Sequence, residues 1–138
     1  MITNISLSTV WVNDHDESKA FYIDKLGFVE AGDVTMGDGF RWVTVAHRDH
    51  PELELTLMKP GPPLDAEDAA AMQRMLDKGS LSAAGMRTDN CQATYEELKA
   101  RGVEFLQEPS DRPYGVEAMF RDNSGNWIVL VERQEYSG

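Results

Sequence analysis

The chain has 138 residues, 41% hydrophobic and 27% charged, which suits one globular domain with a core of its own. A formal net charge of −11 argues against a nucleic-acid partner, because such a field repels phosphate backbones, and no apolar run is long enough to span a membrane. The single cysteine, Cys91, excludes an intrachain disulfide and a cysteine-based zinc site, and is compatible with a reducing, cytoplasmic setting.

The N-terminal stretch "MITNISLSTVWVNDHDE" lacks the basic start and apolar centre of a signal peptide. Within it, "ISLSTVWV" reads as a strand. A helix follows over "NDHDESKAFYIDKLG", where Asp14 and Glu17 have capping-box spacing, Phe21, Tyr22 and Leu26 share a face, and Gly27 suits the position past the end. "FVEAGDVTM", "FRWVTVA" and "LELTLM" then read as three strands, the last two joined across "HRDHPE". In "LELTLM" the leucines alternate with Glu54, Thr56 and Met58, so a carboxylate stands in mid-strand opposite an apolar face.

The segment "GPPLDAEDAAAMQRMLDKGS" breaks strand structure at Pro62 and Pro63 and predicts a short helix from Asp65 to about Asp77. It is a packed connector, a lid, or a dimer contact through Met72 and Met75. The second half then repeats the first. "LSAAGMRT" is a strand, and "DNCQATYEELKARG" is a helix with Asn90 as N-cap and Gly102 past its end. "VEFLQ", "VEAMFRD" and "NWIVLVERQ" are strands, the last two turning through Asn123, Ser124 and Gly125. Val12 corresponds to Thr88 and Gly27 to Gly102, at a nearly constant shift, so one strand–helix–three-strand unit is written twice. The expected organisation is a single domain over 1–138, with module one at about 1–60, the connector at 61–80 and module two at 81–135.

The doubled unit, with "VNDHDESKAFYIDKLGF" in the first copy and "ATYEELKARGVEF" and "FRDNSGNWIVLVE" in the second, resembles the vicinal-oxygen-chelate superfamily of glyoxalases, bleomycin-resistance proteins and extradiol dioxygenases. The resemblance implies an α+β fold of two tandem βαβββ modules, whose curved mixed sheets enclose a cleft, and commonly a homodimer. Enzymes of the group bind a divalent metal at four cleft positions, which fall here on Leu7, Glu54, Ala83 and Val129. Only Glu54 can ligate, and a one-residue slip would offer Ser6, Ser8 or Ser82, which serve no better. No cofactor is therefore expected, with a divalent metal as the alternative.

Of the three histidines, His15 precedes the first helix, while His47 and His50 lie in "HRDHPE", where Asp49 or Glu52 could join them in a polar turn. Cys91, at a helix start, reads as a packed residue. The resemblance implies that the metal positions point into the cleft, and strand parity then turns Leu7, Thr9 and Trp11, with Glu54, Thr56 and Met58, into it from module one. It likewise turns Ala83, Gly85 and Arg87, then Trp127, Val129 and Val131, into the cleft from module two. Val10, Val12, Leu53, Leu55, Leu57, Ile128 and Leu130 face the helices. Phe40 and Trp42, whose face no motif fixes, could add aromatic wall, and the resemblance implies an aromatic before a glycine at Tyr114, so these residues form a small-molecule pocket or fill a cleft or dimer interface. Glu54 is paired internally with Arg87 or Arg41, anchors a ligand, or acts as general acid or base.

These features give three readings. The first is a metal-independent, homodimeric binder of an apolar, aromatic or cationic organic molecule. The second is a lyase, isomerase or dioxygenase with an atypical metal site or with Glu54 as general base. The third is a structural or regulatory dimer with a filled cleft.

Overall fold

A computed structural model describes residues 1–134; the expected end of module two at residue 135 lies outside the described residues. In chain order the elements are β1 (Leu7–Trp11), α1 (His15–Ala20), β2 (Val29–Thr35), β3 (Arg41–His47), β4 (His50–Met58), α2 (Ala66–Asp77), β5 (Ser82–Arg87), α3 (Cys91–Ala100), β6 (Phe105–Arg112), β7 (Gly115–Arg121) and β8 (Trp127–Arg133). The strands form two four-stranded sheets, ordered β1-β4-β3-β2 and β5-β8-β7-β6. The first strand of each sheet runs parallel to the last, and the other neighbours are antiparallel. This is the α+β arrangement of two tandem βαβββ modules that the sequence repeat implies.

Local chemistry sets the helix starts. The side chains of Asp14, Asp65 and Asn90 accept from the backbone N–H groups of Glu17, Asp68 and Ala93, respectively, satisfying donors that the first helical turn leaves free. Helix α1 continues through a wider π turn over Phe21–Lys25, a feature the apolar spacing does not announce. The β3–β4 connection is also tighter than "HRDHPE" suggests. His47 and His50 are register partners across the two-residue turn Arg48–Asp49. Pro51 is tolerated because β4 pairs with β1 only from Glu54 onward.

Alternation along the strands divides each sheet into two faces. The inner faces contribute Val10, Val43, Val45, Leu55 and Leu57 from the first sheet, and Ala118, Phe120, Ile128 and Leu130 from the second. With Phe21, Tyr22, Cys91 and Leu98 from the helices, they make one shared core. Leu53 has inner-face parity but is 44% exposed, because the start of β4 runs beyond the helix cover. In α2 the seated residue is Leu76, whereas Met75 is exposed.

The two modules are joined by a buried polar buckle. Asp122 Oδ2 accepts the Tyr22 hydroxyl at 2.8 Å and Asn126 Nδ2 at 3.1 Å. Its other oxygen accepts the backbone N–H groups of Ser124 and Asn126. Asn126 Nδ2 also donates to the Trp11 carbonyl at 2.7 Å, and Asn13 N–H donates to Ser124 Oγ. Burial pushes the Asp122 carboxyl above its ordinary range, and the donors from Tyr22, Asn126 and Ser124 oppose that shift. The turn "RDNSGN" thus inserts into the β1–α1 corner of the other module.

At the far edge, Arg41 and Lys19 both hydrogen-bond Asp33, tying α1 to β2 and β3. The Arg41 guanidinium, followed by the Lys19 ammonium, holds the Asp33 carboxyl well below the usual carboxylate range. A carboxyl depressed in the folded state contributes stability that is fully present above its unfolded pKa, about 3.9. That contribution is lost as pH falls through the folded value.

The shared core predicts one unfolding transition, coincident by circular dichroism and tryptophan fluorescence. Tyr22→Phe removes a hydrogen bond to a buried carboxylate and is expected to cost about 2 kcal/mol in denaturant unfolding. A change within error would show that Asp122 is satisfied without Tyr22. Asp33→Asn is expected to lower the melting temperature near neutrality, with the deficit shrinking as pH is taken from about 5 to about 2. A deficit constant over that range would rule out Asp33 as a source of acid sensitivity.

Candidate ligand-binding site

The outer face of the first sheet is laid out in rungs. Leu7 pairs with Glu54, and Glu54 with Ala46. Thr9 pairs with Thr56, Thr56 with Thr44, and Thr44 with Gly32. Trp11 pairs with Met58, and Trp42 with Val34. The module-one candidates Leu7, Thr9, Trp11, Trp42, Glu54, Thr56 and Met58 therefore share one surface. Phe40 stands beside Trp42 with ring centroids 6.5 Å apart. Leu7, Val34, Met36 and Phe40 are exposed there.

At one end of this face lies a depression of about 300 Å³ whose lining includes His15, Phe40, Arg41, Met58 and Lys59. The sequence places His15 in a turn, but the structure makes it the first residue of α1. Burial, then the positive charges of Arg41 and Lys59, hold its imidazole below the ordinary pKa. A neutral imidazole beside two apolar side chains can accept or donate one hydrogen bond.

Glu54 does not find the arginine partner considered for it. Arg41 is engaged by Asp33 and Asp16, and among the described residues neither Arg41 nor Arg87 forms an ion pair with Glu54. The carboxylate instead accepts from Thr44 Oγ1 at 2.7 Å. Thr44 was missed by sequence reasoning, although its alternation with Trp42 carries the signal. Thr56, on the adjacent strand, is 1% exposed, and its hydroxyl has no partner among the described residues.

The second sheet presents a similar but separate surface. Gly85 pairs with Val129 and Arg87 with Val131, and Met119 and Glu117 continue those rungs on β7. Trp127 shares the face at a register partner of Ser82. Ala83 is a correction. The register slips between Ser82 and Gly85, and Ala83 packs against the core instead of facing the cleft. Tyr114 occupies the β6–β7 turn, and its hydroxyl donates to Glu117. A depression of about 360 Å³ brings together Gly85, Met86, Arg87, Tyr114, Val131 and Arg133.

The histidine pair belongs to neither outer face. The His47 and His50 rings lie 5.5 Å apart, His50 Nδ1 is 3.3 Å from Glu52, and Asp49 N–H donates to His47 Nδ1. They line a groove with Phe28, Leu53, Leu55 and Met86. Among the described residues, no group of three or more His, Cys, Asp or Glu side chains is gathered to hold a metal ion. The four inferred positions do not fit a divalent cation either, since Leu7, Ala83 and Val129 offer no donor atoms. Cys91 is fully buried with Sγ near the Leu130 carbonyl, and burial pushes its thiol pKa up, which leaves it a packed and unreactive group.

Residues 4–130 match the Glyoxalase/Bleomycin resistance protein/Dioxygenase superfamily. The crystal structure of UcmS2 superposes with a TM-score of 0.88 at 44% identity, covering 96% of this chain and 99% of that one. TnmS3, an antibiotic binding protein from Streptomyces sp. CB03234, superposes with a TM-score of 0.76 at 31% identity, covering 96% and 98% of the two chains. The uncharacterized protein YurT of Bacillus subtilis (strain 168) is 32% identical over 129 residues, which span 94% of this chain and 98% of that protein. No helix among the described residues is long and apolar enough to cross a membrane.

Tag-free protein exposed in turn to nickel, zinc, manganese and iron(II), then desalted, is expected to retain substoichiometric metal by elemental analysis. One equivalent of any ion would contradict the donor argument and draw His15, His47 or His50 into a site.

Proposed function

The chain belongs to the Glyoxalase/Bleomycin resistance protein/Dioxygenase superfamily, and from that premise we propose that it binds and sequesters a small, partly aromatic organic molecule without a metal. One observation carries this reading. The outer face of the first sheet gathers Trp11, Trp42, Phe40 and Met58 around a small polar patch, the usual make-up of a small-molecule site. TnmS3 is an antibiotic binding protein, and its likeness to this chain makes sequestration of an antibiotic-like compound the concrete form of the proposal. The acidic net charge favours cationic or neutral ligands over anions. The lone, buried Cys91 thiol suits a cytoplasmic binder.

We place the working site between two copies of the chain. Each outer face offers one wall, and Leu7, Val34, Met36 and Phe40 leave the first face exposed and apolar. A homodimer that sets one copy's first sheet against its partner's second sheet would close both walls around a ligand, with Arg87, Tyr114, Trp127 and Val129 as the second wall.

A thermal-shift screen of aromatic antibiotics, cationic ones included, tests the reading. A ligand that binds only the folded state adds about 2.7 kcal/mol at a hundredfold excess over Kd, which raises the melting temperature by several degrees. Trp42→Ala is expected to weaken that ligand at least tenfold, read by calorimetry. Light scattering after gel filtration is expected to give the mass of a dimer. A monomer that shows no shift with any aromatic compound would sink the proposal.

A further inference from the structure

We infer that Glu54, Thr44 and Thr56 form a recognition subsite for a hydrogen-bond donor, so that the ligand carries a hydroxyl or protonated amine next to its aromatic ring. The inference rests on the binding reading above and names the chemistry that the same face selects.

The three side chains sit on neighbouring rungs of one surface, Thr44 and Thr56 being direct register partners and Glu54 preceding Thr56 by two residues on β4. The Thr44 hydroxyl spends its only proton on Glu54 Oε1. An ionised carboxylate accepts and never donates, and here Oε2 has no partner among the described residues. The flanking residues on the Glu54 rung, Leu7 and Ala46, are apolar and offer it nothing.

Thr56 supplies an independent observation. Its side-chain oxygen is buried without a partner, a condition that costs stability by roughly 1–3 kcal/mol and is not expected of a residue chosen for packing alone. Valine has the same shape and would avoid that cost. A ligand hydroxyl that displaces the side chains covering Thr56 satisfies the pair together by donating to Glu54 and accepting from Thr56. A protonated amine satisfies it by donating to both.

Gly32 fits the same picture. A Cβ at that position would lie 3.2 Å from Thr44 Oγ1, so the absent side chain leaves the Thr44 hydroxyl uncrowded and aimed at Glu54. On the other side of this polar row stand Met58, Trp11 and Trp42, the surface on which an attached ring would lie.

The test uses four matched probes on the full chain: 2-naphthylmethanol, 2-naphthylmethylamine, their methyl ether analogue and 2-methylnaphthalene. Binding is followed by backbone amide shifts, which report both affinity and location. The alcohol and the amine are expected to bind at least fivefold tighter than the ether and the hydrocarbon, with shifts centred on Thr44, Glu54 and Thr56. Glu54→Gln, which can turn an amide donor outward, is expected to abolish that preference while the hydrocarbon still binds. Thr56→Val is expected to weaken the alcohol while leaving the melting temperature of the free protein unchanged or raised. If all four probes bind this face equally, the subsite inference falls and the aromatic-binding reading survives. If none perturbs this face, both fall. A melting temperature several degrees lower in Thr56→Val would assign its hydroxyl to folding and overturn the role given to it here.

Discussion

A carboxylate buried where the β7–β8 turn meets the first module must be surrounded by donors, and Asp122 meets that demand with groups from both modules. Tyr22 comes from the first module, while Ser124 and Asn126 come from the turn that Asp122 begins. Asn126 then reaches the Trp11 carbonyl at the end of β1. Each hydrogen bond to a charged group is worth on the order of 1.5–3 kcal/mol, and leaving the carboxylate short of donors would cost more. The bonds are directional, so they fix where the second module stands relative to β1. Hydrophobic burial alone is non-directional and would hold the two modules together while tolerating sliding. The buckle removes that freedom, and with it any ambiguity about which strand faces point outward.

The placement of the ligand residues follows from that constraint. Trp11 is pinned by its own carbonyl within the buckle, so the β1–β4 rungs start from a fixed point. Parity then carries the pattern along each strand: Val10, Leu55 and Leu57 go to the core, and Thr9, Thr56 and Met58 take the opposite face, Thr56 buried beneath its neighbours there. The Asp33 cluster repeats the strategy at the opposite edge, where Arg41 ties the same β3 that carries Trp42 and Thr44. Both ends of the candidate site are thus braced by charged hydrogen bonds, while its surface remains apolar with one polar row.

Much of this was legible in the sequence, for local reasons. Caps at Asp14, Asp65 and Asn90 are three-residue signals, and strand faces are a period-2 signal, so both can be read without knowing the fold. The resemblance put Leu7 and Glu54 in one cleft, and they are register partners on β1 and β4. What escaped was non-local or irregular. The slip between Ser82 and Gly85 turns Ala83 inward, and although a glycine within a strand often marks a bulge, strict alternation counted through Gly85 misses it. The partner of Glu54 depends on β3–β4 register, which is why an arginine was considered and Thr44 was not. Tyr22 was legible as a helix residue facing the core, but its hydroxyl finds Asp122 a hundred positions away in the chain.

Leu7, Ala83 and Val129 offer apolar surface where the superfamily's enzymes place metal ligands, and that bears on how a ligand would be held. A metal ion would supply affinity through a few strong, directional bonds, whereas leucine, alanine and valine supply only area. A flat bicyclic ring laid on one open face removes on the order of 150 Å² of apolar surface from water, worth roughly 4 kcal/mol at 25 cal/mol per Å². Association itself costs at least about 4 kcal/mol in lost translation and rotation, so a single wall retains almost nothing. A second wall doubles the area and turns the balance favourable by several kcal/mol, and a donor seated on Glu54 and Thr56 adds orientation. A site that relies on apolar area instead of metal bonds therefore gains most from a second wall, such as the second-sheet surface around Arg87, Tyr114 and Val131 would offer.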